Sequence, residues 1–167
     1  MPVIPGWALA LTFWIHFLAA VTLVGSLVAA SILVLPAAQT LDPLDQLNLI
    51  DKIQKRMEPA AWFSLSLLVV TGLIQMSVNV HYNGFLSVSS QWTIAILVKH
   101  ILVVSLIVVS AIQSWDVLPT IRRLLMRKDK ASQDQVLKLQ HREAWLLRAN
   151  LILAILILAA TAFMRAA

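Results

Sequence analysis

The chain has 167 residues, of which 60% are hydrophobic and 13% charged, with a mean hydropathy of +0.84. A soluble domain carries about 45–50% apolar and about 25% charged residues, so this chain has too little polar surface to cover itself in water and reads as one integral membrane domain over residues 1–167. The net charge of +5 fits basic cytoplasmic loops rather than nucleic-acid binding, and the lack of cysteine excludes disulfides, thiolate metal sites, iron–sulfur clusters and thiol catalysis.

Spans are predicted over about 7–35, 60–80, 93–115 and 146–164, each able to cross a hydrocarbon core of ~30 Å. Residues 1–6 carry no positive side chain, and the following apolar run outlasts the ~7–15 residues of a leader core, so the first segment reads as a span and not a cleavable leader. Pro36 is expected to end the first helix and Pro59 to start the second. The loop over 36–59 holds Lys52, Lys55 and Arg56, and the loop over 116–145 holds Arg122, Arg123, Arg127, Lys128, Lys130, Lys138 and Arg142. The loop over 81–92 has no Lys or Arg. The positive-inside rule then makes loops 36–59 and 116–145 cytoplasmic, loop 81–92 external and both termini external. Trp7 and Trp92 at the outer ends, and Trp62, Trp115 and Trp145 at the inner ends, are placed as an aromatic belt would place them. Gln133 to Arg148 keeps a helical period, which predicts a cytoplasmic helical extension before the fourth span. Its basic face suits anionic lipid head groups or a protein partner. The fold class expected is all-α, an integral membrane four-helix bundle.

Ionisable groups inside a membrane face the bundle interior or a functional site by default. Here they are His16 in span one and Lys99 and His100 in span three. His16 lies nine residues past Trp7 and His100 eight past Trp92, so at 1.5 Å per residue both imidazoles stand roughly 12–14 Å below the outer tryptophans. Two imidazoles at one depth on co-directional helices could ligate a b-type haem from its two faces. Ala19 and Ala20 beside His16, Thr71 and Gly72 of span two, and Ala159, Ala160 and Thr161 of span four would leave room for a macrocycle. Tyr82, Asn83 and the Ser87–Gln91 stretch would meet its propionates. The plainer reading is hydrogen bonding between helices. Lys99 reads either as a snorkelling side chain or as a counter-charge for a propionate or anionic substrate. Copper is the alternative metal, since imidazole and thioether suit Cu(I); Met76, His81 and Met164, with Met1, map to the outer surface. His141 reads as a surface residue. Phosphate-binding glycine loops, nucleophile–base pairs and paired intramembrane carboxylates are missing from the pattern.

The stretches FWIHFLAAVTLVGSLVAASILVLP, LVKHILVVSLIVVSAIQSW and NLILAILILAATAF resemble the copper-resistance D (CopD) type membrane domain across essentially the whole chain, with His16, Lys99 and His100 as the specific residues. The resemblance implies a four-helix unit linked to copper uptake or resistance, akin to bundles that bind b haem. A second resemblance, to HemJ-type protoporphyrinogen oxidases, rests on His16 and Lys99. The function expected is a bis-imidazole haem b protein near the outer face, acting in electron transfer or as an accessory subunit of a membrane redox complex. A copper import or homeostasis protein, a porphyrin-oxidising enzyme and a haem-free structural subunit are the competing classes. The expected setting is a bacterial-type plasma (inner) membrane. The partners would be the lipid bilayer, a larger redox complex or a second copy, and a quinol or periplasmic electron carrier, with no nucleic acid.

Overall fold

A computed structural model describes residues 5–78, 91–126 and 133–166, and among them there is no strand. Helix α1 (Gly6–Val28) starts after the extended Pro5 and runs through a π-helical turn, Ala29–Val34, into the short α2 (Leu35–Ala38). Helix α3 (Pro43–Ser77) opens with proline at its first position, where the missing N–H costs nothing, and with Asp45 in its first turn, where a carboxylate meets the positive end of the helix dipole. Helix α4 (Gln91–Ile112) passes through a second π-helical segment, Gln113–Val117, into α5 (Leu118–Met126). Helix α6 (Gln133–Ala166) closes the order. Four stretches are long and apolar enough to cross a membrane: Gly6–Ala38, Pro43–Ser77, Thr93–Leu124 and Asp134–Met164. The all-α four-helix membrane architecture is therefore present.

Two expectations about prolines are corrected. Pro36 does not end the first helix, and Pro59 lies inside α3 rather than at its start. The π-helical turns explain how two of the prolines are tolerated. Leu35 N–H bonds the carbonyl of Ala30, and Leu118 N–H bonds that of Gln113, each reaching back five residues. The next residue in each case is a proline, Pro36 or Pro119. In an α-turn its ring would strike the carbonyl four residues back, and one extra residue in the turn moves that carbonyl aside. The helical extension expected before the fourth span is present, since α6 runs unbroken from Gln133, and α3 likewise starts well before its predicted span.

Helix α1 packs most closely on α3, and α4 on α6, while α6 also touches α1 and α3, and α5 lies on α3. The end carrying Lys52, Arg122 and Arg142 is called the basic end here, and the opposite one the neutral end. Mid-bundle, Leu23, Leu65, Leu106 and Ala154 form one buried cluster. A second, tighter cluster of Leu47, Val117, Ile121, Val136 and Leu146 lies at the basic end, where α3, α5 and the first turns of α6 meet beyond the predicted apolar runs. Phe17, Ile101, Ile155 and Phe163 are exposed on the outside of the bundle, the position of lipid-facing side chains.

Candidate functional site

In the neutral half, His16 of α1 is half-buried against α3. Its Nδ1 lies 2.7 Å from the Thr71 hydroxyl oxygen, and that hydroxyl donates its only proton to the Leu67 carbonyl. Thr71 can therefore only accept from the imidazole, so Nδ1 carries the hydrogen and Nε2 holds the lone pair in the neutral ring. His100 of α4 has the same tautomer for the same reason. Its Nδ1 lies 2.8 Å from the Ile96 carbonyl oxygen, which has no proton to give. In both rings Nδ1–H is fixed by a protein acceptor, the arrangement that metal-binding histidines generally share.

Gly72 lies beside the histidine. A Cβ there would stand 3.5 Å from His16 Cε1, an ordinary contact, so the small residue expected to admit a macrocycle faces the imidazole edge instead. Ala20, one turn beyond His16, is half-buried. Lys99 of α4 is half-buried. Met76 and Met164 are half-buried near the neutral ends of α3 and α6; His81 and Met1 lie outside the described residues. Among the described residues no group of three or more His, Cys, Asp or Glu side chains converges as a metal site. A cavity of about 60 Å³ is present, but it lies in the other half of the bundle, and cofactor-sized sites take ~300–1,000 Å³. These features give the haem expectation no support.

One residue here escaped sequence reasoning. Gln75 is one turn from Thr71 on α3, and its Nε2 is buried with no hydrogen-bond partner among the described residues.

The larger omission is in the basic half. Glu143 of α6 is fully buried at 0% exposure. Its Oε1 accepts from Gln113 Nε2 at 2.7 Å and from Gln54 Nε2 at 3.1 Å. Asn150 Nδ2 donates to Gln113 Oε1 at 3.1 Å, and the Ser110 hydroxyl donates to Asn150 Oδ1 at 3.4 Å. This chain of polar groups joins α3, α4, the Gln113–Val117 segment and α6. Beside it lies the cavity, walled by Gln54, Gln113, Asn150, Ser110 and Ser114. Trp62 donates to Ser114 at 3.1 Å and stacks on Trp115 with ring centroids 5.8 Å apart. The signal in the sequence was the spacing Val136, Gln140, Glu143, Leu147, Asn150 and Ala154, alternate steps of four and three that mark one buried helix face.

The family model of copper resistance protein D (CopD) matches residues 52–164. Comparison with curated proteins and with solved structures finds no match. The matched stretch begins inside α3 and runs through α6, so it takes in Lys99, His100 and the Glu143 network, while His16 lies before it. With four membrane-length helices and a family match over well more than half of its length, the chain belongs to the copper resistance protein D family.

Proposed function

We propose that this protein handles copper in the membrane, with Cu(I) as cargo taken by the Nε2 atoms of His16 and His100. The observation that carries the reading is the His16 ring: with Nδ1–H held by Thr71, Nε2 keeps its lone pair, and imidazole nitrogen is a ligand type that suits copper. The Nδ1–H of His100 is held by the Ile96 carbonyl in the same way. Family membership supports the same metal. Met76 and Met164 add thioethers near the neutral ends of their helices. Under this reading the neutral end and both termini face outward across a bacterial-type plasma membrane, as the positive-inside rule requires.

Copper binding tests it directly. Purified protein in detergent, titrated with Cu(I) against a chromogenic chelator, should bind the metal. His16→Ala and His100→Ala should each weaken binding by at least the ~10–100-fold typical of disturbing a metal site's supporting shell. Unchanged affinity in both variants removes the site. Sharp reduced α and Soret bands that vanish in the same two variants would instead make the histidines haem ligands.

A further inference from the structure

The fully buried carboxyl of Glu143 has no part in the copper site, and it differs from every other acid placed near it. At the same end of the bundle Asp51 and Glu58 share Arg122, at 2.7 Å and 3.8 Å, and Asp116 holds Arg142 at 2.6 Å. Glu143 instead receives two neutral amide N–H groups on one oxygen, and its Oε2 is buried without a hydrogen-bond partner among the described residues. A buried carboxylate held by amides alone leaves its charge uncompensated, which the protein interior strongly disfavours.

We propose that Glu143 is a proton-binding site, loaded and unloaded through the cavity on the far side of Gln54 and Gln113. Both amides line that cavity and both touch the carboxyl, so they form the wall between the acid and the space. At about 60 Å³ the cavity has room for water, and within a mostly apolar lining Gln54, Gln113, Asn150, Ser110 and Ser114 supply hydrogen-bond partners for it. Oε2 is buried behind the Gln54 and Gln113 amides, so loading requires one of these two side chains to swing aside. A hydronium ion from the cavity then gives its proton to Oε2, an O–H bond forms there, and a water molecule is left behind. Release is the reverse.

The surrounding charges leave this site to itself. From α3, Lys52, Lys55 and Arg56 are exposed, and Asp51 and Glu58 are paired. From the Gln113–Val117 segment comes Asp116, paired with Arg142 of α6. Arg122 of α5 serves Asp51 and Glu58, and Arg123 is exposed; α2 and the Ala29–Val34 turn carry no ionisable side chain. On α6 itself Lys138 pairs with Asp134, and His141 and Arg148 are exposed. In a protein that handles copper, the reading given above, such a site would let a proton move in exchange for the cargo cation. The proton site stands without that reading, and its test uses metal-free protein.

Infrared difference spectra between acid and alkaline buffers, taken on the whole protein in detergent or lipid, read the proton itself. A carbonyl stretch of a protonated carboxyl should titrate reversibly and be lost in Glu143→Gln, the neutral isostere that keeps both amide contacts. Gln113→Leu should move the same band to higher frequency, because the carbonyl loses a donor, and this variant keeps the test open if Glu143→Gln fails to fold. A band unaltered by both substitutions, or no titrating band at all, overturns the proposal. A carboxylate band that responds to exchanging sodium for potassium rather than to pH also overturns it, in favour of a metal cation.

Discussion

Thr71 illustrates how much one hydroxyl can decide. It accepts from His16 and donates to Leu67, and the direction of the second bond dictates the tautomer of the first. Thr71→Val keeps the shape and removes both functions. The expected loss is about 0.5–1.5 kcal/mol in folding, together with a fall of ~10–100-fold in Cu(I) affinity. Thermal unfolding and chelator competition on one sample would measure both, and an unchanged affinity would show that the tautomer is not held by Thr71. Gly72 is the contrasting case. A methyl there would meet His16 Cε1 at an ordinary contact distance of 3.5 Å, so Gly72→Ala should be neutral or stabilise by about 0.5–1 kcal/mol as the mid-helix glycine entropy is removed. A clear drop in melting temperature would mean that the imidazole needs more clearance than this contact implies.

Among the elements, the two π-helical segments do most to shape the protein. Ala29–Val34 and Gln113–Val117 each precede a proline, and both border the cavity, through Ala30 on one side and Gln113 and Ser114 on the other. The widened turn at Gln113 turns that side chain inward to meet both Glu143 and Asn150. Pro119→Ala restores an amide that can bond the Trp115 carbonyl and removes the steric reason for the extra residue. Amide hydrogen exchange over Gln113–Val117 should then become slower than in the parent, as a regular α-turn replaces the wide one. Equal exchange in the two proteins would separate the π-turn from the proline. Apolar patterning reveals little of this, because a π-turn changes register by one residue without changing composition.

For the whole molecule, two solvents stabilise different parts. Helix faces bearing Phe17 and Ile101 are exposed in the folded protein and meet lipid, so truncating them removes little that folding contributes. Leu47 and Ile121 are fully buried in the cluster at the basic end, where protein packs on protein. Leu47→Ala or Ile121→Ala should cost about 2–5 kcal/mol, measurably more than Phe17→Ala, in unfolding experiments in detergent. Similar losses at all three positions would argue against a separate packed core there. The exposed Arg142–Asp116 pair, despite its 2.6 Å distance, should contribute only ~0–1 kcal/mol. Orientation is a property of the whole chain too. Single cysteines introduced into this cysteine-free sequence at Lys52 and Ser77 should be labelled from opposite sides, Ser77→Cys from outside, by a membrane-impermeant maleimide.

Composition and hydropathy alone determined that the protein is a helical membrane bundle with four crossings, since continuous apolar runs of about 20 residues satisfy their polar backbone in lipid as helices, whereas barrel strands would alternate in polarity. Lys99 and His100, which lie within the part the family model matches, were legible for the same reason: an ionisable group in an apolar run stands out. Glu143, Gln54 and Gln113 did not stand out: Gln54 lies in a stretch that reads as a loop, Glu143 among the polar residues of the helical extension, and Gln113 at the very end of the third span. Only the packing of α3, the Gln113–Val117 segment and α6 against one another turned those three side chains inward. Helix rotation, which decides whether a histidine meets a hydroxyl or a macrocycle, depends on contacts between distant segments. Tertiary structure alone assigned His16 to Thr71 and Gly72, because those partners lie 55 and 56 residues away in sequence.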